Sequence, residues 1–221
     1  MNTDFADQTG ASSLKRLSAV SATGVLRSAN RSTFSFKPYV LTLCALLLSV
    51  SLFAETPAVG TKAPDFTLST PTGTPVQLSG QEQKANVVLV LLRGYPGYQC
   101  PYCQRQAHDF VEHAAAFATK GAIVLLVYPG PPADLDQRAK EFLARQANLP
   151  ANFILVTDPD YKMTNLYNLR WNAENETAYP STFILDRTGT VLFEKISHSH
   201  EDRATAQDIL DRLPSNTAGG F

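Results

Sequence analysis

Residues 85–103 read ANVVLVLLRGYPGYQCPYC, and this stretch decides the class of fold. The run from 85 to 92 is largely apolar and rich in Val and Leu, and Gly94 follows it closely. This pattern predicts a β-strand that is covered on both faces. A Gly- and Pro-rich loop then carries Cys100 and Cys103 to the start of a predicted helix. Open α/β sheets place their functional sites at this carboxyl edge.

The flanking sequence alternates strands with helices. Upstream, FTLST (66–70) and VQLSG (76–80) predict a short hairpin. Downstream, the predicted elements are a helix at 104–120, a strand at 122–130, an amphipathic helix within 132–150, a strand at 152–158, a short helix at 158–169, a hairpin of 182–186 with 190–196, and a closing helix at 201–213. Alternation requires crossover connections and a largely parallel centre, whereas the late hairpin is antiparallel. The predicted fold is α/β, with a central mixed sheet flanked by helices and an N-terminal β extension.

The composition is that of an ordinary globular protein. The chain has 221 residues, 44% hydrophobic and 18% charged, with a net charge of -1. Nineteen basic side chains against 20 acidic ones leave no overall positive field, so nucleic acid is not an expected partner. The first 54 residues nevertheless carry five basic and two acidic side chains. A basic leader on a mildly acidic domain is therefore predicted.

That leader is typical of an export signal. Residues 38–54 (PYVLTLCALLLSVSLFA) carry no charge and follow basic residues that include Lys37. A basic segment, an apolar run and a small residue at the end predict a secretory signal, with an uncleaved N-terminal membrane anchor as the alternative. Cys44 follows Leu43 rather than a small residue, so it is not expected to be a lipid-acylation site. The prediction is a leader at 1–54 and an exported, periplasmic or extracytoplasmic domain at 55–221.

The cysteine pair of that domain predicts redox chemistry. Cys100 and Cys103 are its only cysteines, and a disulfide between them would close too short a loop to stabilise the fold much. Free backbone N–H groups and the dipole at a helix start favour the thiolate, which is the reactive form. A C-x-x-C sequence that follows a strand in a βαβ pattern indicates a redox pair. Such a pair cycles between dithiol and disulfide without a bound cofactor.

Metal binding is the alternative use of the same thiols. The domain has no second cysteine pair to complete a zinc site, although its four histidines could contribute ligands. His198 and His200 alternate in a predicted loop, whereas His108 and His113 are awkwardly spaced for joint ligation. Paired thiolates with a distant histidine would suit Cu(I). The sequence therefore predicts a redox pair in preference to a metal site.

A second motif, Tyr179-Pro180-Ser181-Thr182-Phe183, precedes the predicted late hairpin. With the C-x-x-C pair and the order of elements, it makes residues 57–213 resemble a thioredoxin-fold redoxin of the peroxiredoxin-like (alkyl hydroperoxide reductase/thiol-specific antioxidant) group. The resemblance implies that Pro180 is cis and packs against the cysteine loop. It also implies that the backbone beside Pro180 binds substrate. The site residues it implies are the catalytic Cys100 and Cys103 and a substrate groove of Tyr179, Pro180, Pro96 and Arg93.

The resemblance gives two assignments for the attacking thiol. The peroxiredoxin pattern P-x-x-x-T/S-x-x-C fits Pro96, Cys100 and Cys103, which makes Cys103 peroxidatic and Cys100 resolving. Thioredoxin-like reductases instead use the first cysteine, here Cys100. The arginine that peroxiredoxins carry before this strand is replaced by Pro180. Four arginines could substitute for it, the better placed in sequence being Arg93 and Arg170 and the others Arg105 and Arg203.

The expected function is that of a thiol-dependent oxidoreductase. It would reduce peroxides by thiolate attack, followed by resolution within the Cys100–Cys103 pair, and an external thiol would supply the electrons. The first alternative is disulfide exchange with exported proteins. The second, weaker one is copper handling on a thioredoxin fold.

Overall fold

The computed structural model describes residues 55–146 and 148–215. The leader predicted at 1–54, including Cys44, lies outside the described residues. Within the described part of the chain, none of the helices has the length and apolar character needed to cross a membrane.

Seven strands and six helices make up the described domain. In chain order they are β1 (Thr67–Ser69), β2 (Pro75–Gln77), α1 (Leu78–Glu82), β3 (Asn86–Leu91), α2 (Pro101–Glu112), α3 (Ala114–Thr119), β4 (Ala122–Gly130), α4 (Leu135–Ala144), β5 (Phe153–Pro159), α5 (Lys162–Leu166), β6 (Ser181–Leu185), β7 (Val191–Ile196) and α6 (Ala206–Leu210). The strands form one sheet in the order β2-β1-β5-β4-β3-β6-β7.

The sheet is mixed, as predicted. The central strands β5, β4 and β3 are parallel, whereas β1, β2, β6 and β7 pair antiparallel with their neighbours. The β1–β2 hairpin is the predicted N-terminal extension, and it joins the sheet through Ser69 opposite Thr157 of β5. In the β3–β6 pair, Leu91 lies opposite Ser181. The end of β3 and the beginning of β6 therefore meet at one edge of the sheet.

The uninterrupted apolar character of β3 reflects burial on both faces. Val88 and Val90 point into a core that also contains α2, α3, α4 and α6. Val87 and Leu89 point into a second core on the opposite face, where α1 and the α5 region pack. All four side chains are fully buried.

Several predicted elements have different limits in the structure, among them the short helix predicted at 158–169, which spans only Lys162–Leu166. The predicted helix 104–120 begins at Pro101 and divides at His113, where φ and ψ are −96° and 12°. The second hairpin strand ends at Gln77, because the Asp65 carboxylate accepts hydrogen bonds from the Ser79 N–H and hydroxyl and fixes the start of α1. The closing helix begins only at Ala206, after a capping box formed by Thr205 and Asp208.

Candidate active site

Cys100 is the N-cap residue of α2. Its φ and ψ of −60° and 115° lie outside the helical region, and its Sγ accepts a hydrogen bond from the backbone N–H of Cys103 at 3.4 Å. Pro101 occupies the first helical position, where its missing N–H is not needed. Cys100 is 2% exposed and Cys103 is fully buried, and both are free thiols. The pair therefore lies beneath the surface at the positive end of a helix.

An arginine contacts the second cysteine. Arg203 directs Nη2 at the Cys103 Sγ, 3.2 Å away, from the segment that leads into α6. Its Nη1 donates to Gln106 Oε1 at 3.0 Å, and its Nε donates to the His200 carbonyl at 2.9 Å. Gln106 is itself held by the Ala204 carbonyl. The guanidinium is thus fixed on three sides and faces the thiols with its positive charge.

The two thiols have opposite acidities. The pKa of Cys100 is lowered by a hydrogen bond from the Cys103 thiol, by the Cys103 backbone N–H and by the charges of Arg203 and Arg93, against a contribution from burial that raises it. Burial raises the pKa of Cys103 well above its usual range, and so does its hydrogen bond with Cys100, although Arg203 opposes both. The arrangement favours a thiolate at Cys100, stabilised by a hydrogen bond from the Cys103 thiol, and disfavours ionisation of Cys103.

Arg93, predicted to line the substrate groove, lies in a buried ion cluster next to the pair. Its Nη2 is 2.6 Å from Glu176 Oε2 and also donates to the Asn175 carbonyl at 2.9 Å. Glu176 also lies 2.9 Å from His200 Nε2. Arg93 is 4% exposed and acts on Cys100 through its charge. Its carboxylate partner makes it a less available cation than Arg203.

The other predicted groove residues surround the same sheet edge. Pro180 is buried directly before β6, and its carbonyl accepts from the Ser197 N–H at 2.8 Å. Tyr179 is half-buried and stacks on Trp171 with ring centroids 5.0 Å apart. Pro96 is exposed in the loop that enters the cysteine motif. The β3–β6 register brings Pro180 to the edge from which the cysteine loop departs.

Arg170 and Arg105 have other partners. Arg170 donates to the Trp171 carbonyl at 2.6 Å and lies over the Tyr161 ring. Arg105 lies over the Tyr102 ring, with its guanidinium carbon 4.4 Å from the centroid. Arg203, which the sequence ranked below Arg93 and Arg170, is the arginine that contacts a thiol.

The site contains polar contacts that no sequence pattern indicated. Gln106, three residues after Cys103, positions Arg203. Gln99 accepts a hydrogen bond from the Tyr128 hydroxyl at 3.2 Å and donates to the Arg138 carbonyl at 3.0 Å, which ties the cysteine loop to β4 and α4. The Tyr102 hydroxyl donates to Glu201, which tethers the Arg203 segment to α2. The only available signal was helical spacing, since Cys103 and Gln106 lie one turn apart on one face of α2.

The histidines do not form a metal centre with the cysteines. In the described ranges, no group of three or more His, Cys, Asp or Glu side chains is arranged to hold a metal ion. His198 instead packs against the Tyr179 ring, and His200 packs against Trp171 while pairing with Glu176.

Comparison with known proteins relates the chain to one family. The family model of the AhpC/TSA family matches residues 59–193. The peroxiredoxin bcp of Helicobacter pylori is 32% identical over 160 residues, which cover 70% of this chain and 97% of that protein.

Two solved structures share the fold. Peroxidoxin BcpB from Mycobacterium tuberculosis has a TM-score of 0.58 at 23% identity, over 73% of this chain and 99% of that one. A thiol:disulfide interchange protein DsbE from Chlorobium tepidum has a TM-score of 0.53 at 28% identity, over 72% of this chain and all of that one. Because the family match covers more than half of the chain, and the bcp relative is matched almost end to end, this protein is a thioredoxin-fold oxidoreductase that belongs to the AhpC/TSA family.

Proposed function

We propose that the protein is a thiol peroxidase that cycles Cys100 and Cys103 between dithiol and disulfide. The observation that carries the proposal is the hydrogen-bonded thiol pair, in which Cys103 supports a lowered pKa at Cys100. Membership in a family with peroxiredoxin relatives supports peroxide as the oxidant. An external thiol returns the two electrons that the peroxide removes.

The proposed reaction begins at Cys100. Its thiolate attacks one peroxide oxygen, the O–O bond breaks, and the second oxygen leaves as an alcohol or water after it takes up a proton. This step forms a Cys100 sulfenic acid. The Cys103 sulfur then loses its proton and attacks the Cys100 sulfur, so that water leaves and the disulfide forms. Arg203, 3.2 Å from the Cys103 Sγ, would stabilise the second thiolate during resolution.

The first test is single-turnover oxidation by hydrogen peroxide. The full chain carrying Cys44→Ser is reduced, mixed with peroxide, and followed by thiol loss. We expect oxidation on the order of 100-fold faster than that of a free thiol of matched pKa, since positioned groups typically contribute that much. A rate equal to that of the free thiol would refute the peroxidase proposal.

The second test assigns the attacking sulfur. In a Cys103→Ser chain we expect a sulfenic acid on Cys100, which a 1,3-dione traps and peptide mass spectrometry locates. The matched Cys100→Ser chain should oxidise slowly, because Cys103 is fully buried and its pKa is raised. Fast oxidation of Cys100→Ser with an adduct on Cys103 would reverse the assignment, as the peroxiredoxin spacing allows.

Disulfide exchange is the second candidate function. It is favoured by the 28% identity to the Chlorobium tepidum thiol:disulfide interchange protein over 72% of this chain. A disulfide exchanger reduces a protein disulfide such as that of insulin faster than it reacts with peroxide. Measuring both rates on the same preparation decides between the two candidates.

We also propose that residues 1–54 direct export of the domain. The uncharged run at 38–54 after a basic segment supports this proposal. Expression of the full chain in a bacterium, followed by mass determination of the product outside the cytoplasm, tests it. Loss of a fragment that ends near residue 54 is expected for a cleaved signal, an intact chain in the membrane indicates an anchor, and an intact chain in the cytoplasm rejects export.

A further inference from the structure

A cleft of about 390 Å³ opens beside the cysteine motif. It lies between the first turns of α2 and the end of α4, and its lining includes Gln99 and Pro101, the two residues on either side of Cys100. Neither cysteine belongs to its lining. The cleft therefore adjoins the chain on both sides of Cys100, where a second molecule could be held.

The cleft is cationic. Arg105 and Arg145 both line it, and neither forms an ion pair with another described residue. His108, also in the lining, lies 3.4 Å from the exposed carboxylate of Glu112. Within residues 55–146 and 148–215, the lining includes no Asp or Glu side chain. Two guanidinium groups without carboxylate partners are suited to bind an anionic group, and above all a carboxylate.

The wall of the cleft also covers a hydrogen-bond acceptor that has no donor among the described residues. Gln146 lines it and donates Nε2 to the Gln104 carbonyl at 3.3 Å. Its Oε1 is buried and has no hydrogen-bond donor in the described part of the chain. A buried acceptor without a donor is costly, so a ligand that brings an N–H group would gain by pairing with it.

We propose that this cleft binds the electron donor, a small thiol that carries a carboxylate and an amide N–H. The proposal rests on the cycle in which Cys100 and Cys103 form a disulfide. Arg105 and Arg145 would hold the carboxylate, and the Gln146 amide would turn to present Oε1 to the amide N–H. Of the two sulfurs, the donor would attack that of Cys100, because the residues on either side of Cys100 line the cleft and Cys103 is fully buried.

The exchange balances without any further reactant. The donor thiolate attacks the Cys100 sulfur, the S–S bond breaks, and Cys103 leaves as a thiolate beside the Arg203 guanidinium. A second donor thiolate then attacks the donor sulfur of this mixed disulfide. Cys100 leaves as the thiolate, and the two donors depart joined by a disulfide, having supplied two electrons.

The test compares two probes that differ in the charge of one group, and every rate is divided by the rate of the same probe with a small uncharged disulfide, which removes the difference in intrinsic thiolate reactivity. The Cys44→Ser chain is oxidised with diamide, so that disulfide formation does not depend on peroxide chemistry. It is then reduced with N-acetylcysteine or with N-acetylcysteine amide at equal thiolate concentration. We expect the carboxylate probe to react about fivefold faster at low salt, as two exposed ion pairs would give. The preference should shrink as salt is added.

The double variant Arg105→Gln/Arg145→Gln should react equally with both probes. Arg187→Gln, which changes an exposed arginine outside the cleft, should retain the preference. Reduction by dithiothreitol should be the same in all three chains, which controls for the fold and for the disulfide. Equal rates with both probes in the parent chain, or a preference that persists in the double variant, would refute the cleft as the donor site. Neither result depends on whether peroxide is the oxidant.

Discussion

Arg203 reaches the cysteine pair from a position 100 residues further along the chain. Its charge lowers the pKa of Cys100, and its guanidinium donates a hydrogen bond to the Cys103 Sγ at 3.2 Å. Arg203 thus places a positive charge beside the pair from a segment other than the one that contains Pro180. The consequence for reactivity can be measured directly.

Replacing Arg203 with Met should raise the pKa of the reactive thiol, because the cation that favours the thiolate is removed. The midpoint of the pH profile for peroxide oxidation should move to higher pH. If the midpoint moves by about one unit, the rate below it falls about tenfold. Arg203→Lys should recover part of the loss, since it restores the charge without the planar fork.

Arg187→Gln is the matched control, and its profile should coincide with that of the parent chain. An unchanged profile in Arg203→Met would show that this guanidinium does not act on the reacting sulfur. Circular dichroism of each variant confirms that the fold is retained.

The sequence identified the two cysteines but not the partner of Cys103. Cys100 and Cys103 were recognisable because only two residues separate them and the motif follows a buried strand. Arg93 ranked high for the same local reason, since it ends that strand, yet it pairs with Glu176. Arg203 is brought in by Gln106, Tyr102 and the His200 carbonyl, contacts that depend on how distant segments pack. Sequence proximity carries no information about such contacts.

The loop that carries the cysteines is positioned by a close approach between Gly94, just after β3, and the end of β4. Gly94 follows β3, and a Cβ at this position would lie 2.0 Å from the Pro129 carbonyl oxygen of β4 and 2.7 Å from the Tyr128 ring. No side chain fits there, so the loop must enter the cysteine motif along the surface of β4.

Gly94→Ala should therefore destabilise the protein by about 3 kcal/mol, at the upper end of overpacking effects, and should displace the cysteine loop. Urea unfolding measures the loss of free energy of unfolding. Gly80→Ala is the matched control, because its nearest atom would be 3.9 Å from the new Cβ and it lies within α1. The free energy of unfolding of that variant should rise by up to about 1 kcal/mol, because Ala favours the helix more than Gly does. Equal stability of the two variants would refute the close-approach argument.

Strands were predicted from sequence more accurately than helix limits. The buried strands are continuous apolar runs bounded by Gly or polar residues, as β3 shows. The break at His113 is invisible in the pattern, because Phe110 and Phe117 on either side are both buried and in contact, with ring centroids 5.3 Å apart. Backbone dihedral angles at a single residue can change while the apolar spacing continues. Helix ends set by individual caps, such as that at Thr205, are equally local.

For the whole molecule, the redox state should change the pH dependence of stability. The lowered pKa of Cys100 stabilises the reduced fold above the thiol's unfolded pKa of about 8.5, and this contribution is lost as the pH falls through the lowered native value. The raised pKa of Cys103 lowers the stability of the reduced fold as the pH rises above about 8.5, because the unfolded chain then loses a proton that the folded one keeps. In the oxidised protein both thiols are replaced by a disulfide, so neither cysteine titrates.

We therefore expect the Tm of the reduced protein minus that of the oxidised protein to rise from acid pH towards about 8.5 and to fall beyond it. Thermal melts of both forms in the Cys44→Ser background measure this difference. Reduced Cys100→Ser should lose the rising limb, which makes it the control. A difference that is flat across this range would show that the fold does not perturb the two thiols.

The pairing of β3 with β6 joins residues 90 positions apart, Leu91 and Ser181, and the Arg203 contact closes a still longer loop. Contacts of such sequence separation form late, because the entropy of closing the loop is lost before the contacts compensate for it. A chain still being synthesised exposes both cysteines long before residue 203 exists. Until folding is complete, its thiols have only the reactivity of any cysteine in a flexible peptide. Completion of the fold is therefore what activates the chemistry, and a nascent or misfolded copy is spared the heightened reactivity of the finished protein.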